Sequence, residues 1–393
     1  MQRYRQNNMC GTLKAVMLGT FFLPDFFTTI KAEKVREPLM RVADEIQKDL
    51  YQIEKTLKNN GIIVERSKQP QGRFGEIDHR INSIAVRNNH VVVGDKLIQL
   101  QKNDYVLSPL LAYCKDIVDV SDQNKKHFIR QMANAVVNYN PNNDIWYSKS
   151  KYIELAGTSW PPYQDYVNGS WINFPQKYIE VKQEILSFKE SMEYYTHEID
   201  NLQGPNVLNY NDKIIIDCNE YLDYTWFEEI IGDGRPLMYI NTKAGHTDGV
   251  FMPINDSTIL GISEVIDNLK VFADHNKIRV PEEAYQNQIT EFNMMKNKVS
   301  GRWWIPGQEE NTELIEFTEN VLSTWTGRAE ESVFDVNLLV LDQKTVMINR
   351  VDDIVVPQLK KNKIDYILVP WRHRFFIDNG LHCITLDLYR EDH

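Results

Sequence analysis

Apolar and polar positions along the chain form a weak internal repeat. Each copy has an apolar strand, a short turn rich in Asn, Asp and Lys, a second strand rich in β-branched residues, and then a helix-like stretch. This alternation and these turn residues predict β-hairpins. The four copies are SIAVRNNHVVVG at 83–94, NVLNYNDKIIID at 206–217, VFMPINDSTILG at 250–261 and NLLVLDQKTVMIN at 337–349.

The two ends of the chain predict a fifth copy. GTLKAVMLG at 11–19 has the pattern of a strand without a second arm, and CITLDLYR at 383–390 is a strand that can complete it. Five such units favour closure into a ring, which protects strand edges as propellers do. The pattern therefore predicts an α/β fold in which the first and last strands meet.

Helical patterns lie between the strands. Residues 36–60 carry apolar side chains at amphipathic spacing and stop at Asn-Asn-Gly, and 177–195 and 220–231 are similar. The stretch from about 95 to 200 does not follow the repeat, so we interpret it as an ordered insertion. Its aromatic, proline and glycine residues either face a substrate or pack the loop onto the core. Because no flexible linker interrupts the pattern, we predict one domain, 1–393.

Composition narrows the functional class. The 393 residues carry a net charge of −11, which argues against non-specific nucleic-acid binding. We see no run of about 18 apolar residues and no signal-peptide pattern, so we expect a cytoplasmic protein that does not enter a membrane. The four cysteines form no CxxC pair and the histidines no HExxH pattern. We therefore predict no disulfide framework and no metal, and the mechanism implied by the family resemblance described below needs no cofactor.

Two short stretches carry candidate chemistry. Cys383 follows a glycine and a histidine directly before the closing strand, where a thiol is either a small core residue or a nucleophile. His246 and Asp248 stand two positions apart, so an extended backbone points both to one face. Gly245 and Gly249 flank them and allow a ligand to approach the backbone closely. The plainer interpretation of His246 is a hydrogen-bonded turn residue.

The stretches GHTDGVFMPINDSTILG and GLHCITLDLYR resemble the two motifs of the amidinotransferases, the family of glycine amidinotransferase and the inosamine-phosphate amidinotransferases. That family belongs to the pentein, or guanidine-modifying, superfamily. The resemblance implies a five-bladed α/β propeller of pseudo-repeated ββαβ modules, with the insertion between modules two and three. It is strongest from about 200 to the C-terminus and weakest within the insertion.

The resemblance also implies an activity and roles. Cys383 would attack the central carbon of a guanidino donor such as arginine, His246 would act as acid and base, and Asp248 would bind the guanidino group beside Gly245. An acceptor amine would then take the amidino group from sulfur, with ping-pong kinetics. Ser332 is a further candidate for substrate binding. Asn337 is either a substrate ligand or a residue that starts a strand.

Two positions depart from the family pattern. The family has an Arg-Asp pair before an apolar strand in the second module, and Asn82 takes the place of that Asp in RINSIAVRNNHVVVG. It also has a carboxylate before the third module, where this chain has Gln203. We include both amides among the substrate-binding residues. Their presence indicates an unusual substrate, a carboxylate supplied from elsewhere, or an error of register. Candidates for the substitute carboxylate are Asp78, Asp165 and Asp200.

Other functions remain open at this point. A hydrolase of the same superfamily would resolve the intermediate with water, and a catalytically silent binding protein would keep the scaffold alone. An inert, buried Cys383 would favour the silent protein. Arg372, His373 and Arg374 either bind an anionic group of the substrate or form a solvated basic turn. A homodimer is left open, and the partners we expect are a small guanidino donor and an amine acceptor.

Overall fold

The computed structural model describes the elements that carry the repeat. The described residues are 4–77, 83–100, 118–119, 121, 166–167, 170–171, 202–217, 225–231, 234–242, 246–281, 303–322 and 336–392. The strands are β1 Thr12–Leu18, β2 Ile63–Arg66, β3 His90–Val93, β4 Lys96–Gln99, β5 Val118–Asp119, β6 Tyr166–Val167, β7 Ser170–Trp171, β8 Val207–Tyr210, β9 Lys213–Asp217, β10 Leu237–Ile240, β11 Phe251–Asn255, β12 Thr258–Ile262, β13 Asn276–Val280, β14 Leu339–Asp342, β15 Thr345–Ile348, β16 Asp365–Leu368 and β17 Thr385–Glu391.

Five three-stranded sheets within these residues share one arrangement. Their strand orders are β17-β1-β2, β3-β4-β5, β8-β9-β10, β11-β12-β13 and β14-β15-β16. The middle strand pairs antiparallel with one neighbour and parallel with the other in each sheet. The repeat predicted from the sequence is therefore present, and the last strand of the chain pairs with the first.

Three of the four predicted hairpins lie at their predicted positions, but the hairpin of the second module does not. Within 83–94 the segment Val86–Asn89 is a short helix, α2, and only His90–Val93 is a strand. The tight turn falls at Gly94, which has a φ of 59°, and β4 follows it. The predicted turn at Asn88-Asn89 was wrong because these polar residues end a helical turn. β4 and β5 belong to the second sheet, so these strands are part of the repeat although they lie within the stretch of about 95–200 that was predicted as an insertion.

The helix predicted over 36–60 is confirmed as α1, Glu33–Asn59. Its apolar stripe, from Val35 to Leu57, is fully or almost fully buried against β1 and the apolar stretch after it. The predicted helix 220–231 is described only at Thr225–Ile231, and 177–195 lies outside the described residues. The other helices described are Ser263–Asn268, Thr312–Val321, Val355–Lys361 and Arg374–Ile377. Among these helices none is long and apolar enough to cross a membrane.

Candidate active site

The side chain of Asn337 holds the backbone N–H groups beside Cys383. The amide oxygen Oδ1 of Asn337 accepts from the backbone N–H groups of His382 and Cys383 at 2.9 and 3.1 Å, and its carbonyl oxygen accepts from Leu381 at 3.0 Å. A Cβ at Gly380 would lie 2.4 Å from the Asn337 side chain, so only glycine fits there. Asn337 lies just before β14 and thereby fixes the loop that precedes β17. Its role in the structure is to shape residues 380–384, which carry the predicted nucleophile Cys383 and are called the nucleophile loop.

The thiol of Cys383 lies between an amide and a carboxylate. Asn337 Nδ2 donates to Cys383 Sγ at 2.8 Å, and Sγ lies 3.5 Å from Asp248 Oδ2, within reach of a weak S–H hydrogen bond. The Cys383 side chain is buried. Two residues proposed from separate motifs, 135 positions apart, are therefore in contact. The amide donor can stabilise a thiolate, which is the reactive form of cysteine.

Asp248 has a second partner that the sequence did not predict. Its Oδ2 accepts from His382 Nδ1 at 2.7 Å, whereas its buried Oδ1 accepts no hydrogen bond from a described residue. Burial alone raises the pKa of Asp248, but the hydrogen bond and charge of His382, with the charges of His246 and Arg87, leave that pKa below its ordinary value. Burial and the charge of Arg87 lower the pKa of His382, against the opposing influence of Asp248. An ionised Asp248 carboxylate that accepts from His382 Nδ1–H is therefore favoured.

The turn that carries Asp248 is held in place by a hydrogen bond to Asp217. Thr247–Gly249 is a single 3₁₀ turn. Asp217, at the end of β9, accepts from Thr247 Oγ1 at 2.8 Å and from the backbone N–H of Thr242 at 3.0 Å. Burial raises the pKa of Asp217, although these hydrogen bonds oppose the rise. Both oxygens of Asp217 are engaged, so its function is to hold the turn.

His246 is paired with Gln203. The distance between His246 Nε2 and Gln203 Oε1 is 2.6 Å, so the ring nitrogen donates to the amide oxygen. Gln203 directly precedes the 3₁₀ turn Gly204–Asn206, and a Cβ at Gly204 would lie 1.9 Å from the carbonyl oxygen of Arg87. The glycine therefore lets this turn pack on α2. An amide oxygen therefore accepts from the ring of His246.

Arg87 is a second residue that sequence reasoning missed. Its buried guanidinium donates from Nε to the carbonyl oxygens of His382 and Thr385 at 3.0 and 2.9 Å, and from Nη2 to Asp387 Oδ1 at 2.9 Å. Asp387 also accepts from Arg390 Nε at 2.9 Å and from Gln6. Burial opposes ionisation of Asp387, but the two arginines together lower its pKa far below the ordinary value. Arg87 therefore ties α2 to the nucleophile loop.

Arg87, Asn88 and Asn89 are the last residues of α2 and directly precede β3. Asn88 Oδ1 is buried and accepts no hydrogen bond from a described residue. The assignment of Asn82 to the family's carboxylate position stays a prediction.

The structure does not place several of the residues predicted for the site. Asn82, Gly245 and Ser332 lie outside the described residues, as do the substitute carboxylates considered, Asp78, Asp165 and Asp200.

Two residues of the basic segment before the nucleophile loop pair with acidic residues of α1. Arg372 makes a bidentate ion pair with Asp49 of α1, and His373 Nε2 lies 2.6 Å from Glu45 Oε2. These contacts dock the segment on α1. His373 and Arg374 are buried, so the alternative of a solvated turn is wrong for them, whereas the Arg372 side chain is exposed.

Comparisons with known proteins bear on the fold. No protein-family model matches the chain, and no curated protein matches its sequence. The inosamine-phosphate amidinotransferase of Streptomyces griseus superposes with a TM-score of 0.56 at 14% identity, over 99% of this chain and 97% of that one. SxtG, an amidinotransferase from Microseira wollei in the saxitoxin biosynthetic pathway, gives 0.55 at 13%, over 100% and 98%. The chain therefore has the mixed α/β fold of the amidinotransferases, which confirms at the level of the fold the resemblance predicted from its two motifs.

Proposed function

We propose that this protein is an amidinotransferase, which moves an amidino group from a guanidino donor to an amine through a covalent intermediate on Cys383. The observation that supports this most directly is the contact of Cys383 Sγ with both Asn337 and Asp248, within a fold that amidinotransferases share. We also propose that the five sheets close into a five-bladed propeller and that 1–393 form one domain. The site then lies where the modules meet.

The first half-reaction uses the groups around the thiol. The Cys383 thiolate attacks the central carbon of the guanidino group, a C–S bond forms, and the C–N bond to the leaving amine breaks. His246 gives the leaving nitrogen its proton. Asp248 Oδ1, which is buried and has no described partner, accepts from an N–H of the substrate, while Oδ2 is held by His382.

The second half-reaction reverses these roles. An acceptor amine attacks the amidino carbon, His246 removes its proton, and the thiolate leaves. Because the donor amine departs before the acceptor binds, the kinetics are ping-pong. Arg87 and Asn337 keep the thiol in place throughout, since they bond to the backbone on either side of it. Gly245 and Ser332 are proposed to contact the substrate.

A second candidate is a catalytically silent binding protein. Two observations favour it: the Cys383 side chain is fully buried, and the partner of His246 is an amide rather than a carboxylate. An amide does not stabilise an imidazolium as a carboxylate does, because it lacks the charge.

Product analysis separates these candidates. The protein is incubated with arginine and other guanidino compounds, with and without glycine or hydroxylamine as acceptor, beside Cys383→Ala. A new guanidino product on the acceptor, formed only by the wild type, is the result expected for a transferase. A ureido product made without acceptor would assign a hydrolase. Binding of a guanidino compound with no turnover under either condition would favour the silent protein.

A further inference from the structure

One short segment of the chain contacts all five sheets. It consists of residues 5–11, directly before β1, and we call it the N-terminal segment. The backbone N–H of Arg5 donates to the carbonyl oxygen of Leu388 in β17, in the first sheet, at 3.0 Å. Gln6 exchanges two backbone hydrogen bonds with Gly94, in the turn between β3 and β4, at 2.8 and 3.0 Å. The segment is therefore paired with the backbone of the first two sheets.

The same segment contacts the hairpin turns of the other three sheets. Asn8 Nδ2 donates to Asn211 Oδ1 between β8 and β9 at 2.9 Å, and to Asp256 Oδ1 between β11 and β12 at 2.8 Å. Gln343 Nε2, between β14 and β15, donates to the carbonyl oxygen of Cys10 at 3.3 Å. The N-terminal segment therefore connects the five sheets at the end where these turns lie.

The nucleophile loop lies at the other end of β17. The loop directly precedes Thr385, where the strand begins, whereas the N-terminal segment pairs with Leu388 near the end of the strand. Because a strand rises about 3.3 Å per residue, the segment lies on the order of 15 Å from Cys383. An effect of the segment on the loop therefore has to pass through residues between them.

Asp387, which is buried within β17, connects the two ends. Its Oδ2 accepts from Gln6 Nε2 of the N-terminal segment at 3.1 Å. Its Oδ1 accepts from Arg87 Nη2 at 2.9 Å, and the same guanidinium donates from Nε to the carbonyl oxygen of His382 at 3.0 Å. A continuous set of buried hydrogen bonds therefore runs from Gln6 to the residue that directly precedes Cys383.

The charges of this set restrict its movement. Burial opposes ionisation of Asp387, but the charges of Arg390 and Arg87 lower its pKa far below the ordinary value, so the carboxylate is ionised. Hydrogen bonds to an ionised group are stronger than those between neutral groups. Moving a partner away from a buried charge is costly, because the charge is then uncompensated. Gln6, whose backbone is paired with Gly94, thus gives the carboxylate a third donor with a fixed position.

We infer that Gln6 and Asp387 are positioning residues for Cys383, through which the N-terminal segment fixes the nucleophile loop. Gln6 orients the carboxylate of Asp387, which in turn orients the guanidinium of Arg87. That guanidinium holds the carbonyl oxygen of His382. Only the effect on catalysis rests on the proposed function, since the effect on the loop follows from the contacts alone.

Hydrogen exchange of the intact protein, measured by peptide mass spectrometry, tests the inference. The backbone N–H groups of residues 381–384 all donate hydrogen bonds, so their exchange reports opening of the nucleophile loop. Exchange in the buried helix α1 serves as the reference for global stability. Gln6→Met removes the donor to Asp387 and keeps an unbranched side chain of similar length. The matched control, Gln343→Met, makes the same substitution at another contact of the N-terminal segment.

The ratio of exchange in 381–384 to exchange in α1 is the quantity compared. It should rise about tenfold in Gln6→Met, as when one hydrogen bond to a charged group is lost, and stay at the wild-type value in Gln343→Met. An unchanged ratio in Gln6→Met, or an equal rise in both variants, overturns the inference. If Gln6→Met does not fold, Gln6→Asn, whose amide ends one methylene short of Asp387, is read in the same way.

Adduct formation on Cys383 separates this inference from the proposed function. With a guanidino donor that modifies the wild type, Gln6→Met should lower the rate at saturating donor about tenfold, because the thiol is held less accurately. The half-saturating concentration should change by less than about twofold, since Gln6 acts on the backbone of the loop. An unchanged rate at saturating donor overturns the positioning role. No adduct on the wild type from any donor overturns the proposed function, and the exchange ratio then still decides whether the N-terminal segment fixes the loop.

Discussion

Truncation of Asn337 to alanine should destabilise the protein and disorder the nucleophile loop. The change removes the acceptor of two buried backbone N–H groups, those of His382 and Cys383, at 2.9 and 3.1 Å. Each buried donor left without a partner costs about 1–3 kcal/mol. Water entering the space of the lost side chain compensates in part, so we expect a loss of about 2–4 kcal/mol in the free energy of unfolding.

The assay is urea unfolding, with Asn362→Ala as the matched control. The Asn362 side chain donates to the carbonyl oxygen of Gln358 on a half-buried helix end, so its truncation should cost less than about 1 kcal/mol. A second variant, Asn337→Asp, keeps the oxygen acceptors but replaces the donor to sulfur with a negative charge. It should fold more stably than Asn337→Ala and yet slow alkylation of Cys383 about tenfold. Unfolding of Asn337→Ala at the wild-type midpoint would refute the reasoning.

Three further predictions follow from the same contacts. Gly380→Ala places a Cβ 2.4 Å from the Asn337 side chain, so it should reduce both the unfolding midpoint and the alkylation rate of Cys383, whereas an unchanged rate would contradict the packing. Burial lowers the pKa of His90 from 6.5 to about 3, so the unfolded chain takes up a proton that the native state does not as the pH falls below 6.5. Above pH 6.5 His90 should therefore not make the free energy of unfolding depend on pH. Between pH 6.5 and about 3 it should lower that free energy by about 1.4 kcal/mol per pH unit. Urea titrations of His90→Leu should lack this slope. Burial raises the pKa of the Cys10 thiol well above its ordinary value, so peptide mapping after brief iodoacetamide treatment should find Cys10 unmodified, and rapid labelling of it would contradict its burial.

The sequence predicted those parts of the fold that rest on local pattern. Alternating apolar residues around Asn- and Asp-rich turns identified the hairpins of β8-β9, β11-β12 and β14-β15, and amphipathic spacing identified α1. It failed in the second module, because Arg87-Asn88-Asn89 has the composition of a turn while the residue in the left-handed region is Gly94. In this module Arg87 of the short helix α2 donates a hydrogen bond to the backbone of the nucleophile loop, a tertiary contact that the local sequence does not reveal.

The sequence predicted the site residues that lie in a motif, but not those that only the fold brings together. Cys383 and Asp248 came from two motifs, and the structure brings them into contact. His382 was named only as a neighbour of Cys383, since nothing local reveals that its ring faces a carboxylate 134 positions away. The roles of Gln203, Gly245, Asn82 and Ser332, the cytoplasmic location and the oligomeric state stay predictions.

The most direct test of the central claim is the intact mass of the protein after brief incubation with a panel of guanidino donors, beside Cys383→Ala. The account predicts an adduct of amidino mass on the wild type, lost on addition of an amine acceptor and absent from Cys383→Ala. The same adduct on Cys383→Ala would contradict the assignment of the nucleophile. No adduct from any donor, with Cys383 inert to iodoacetamide in the folded protein, would contradict covalent catalysis at this site.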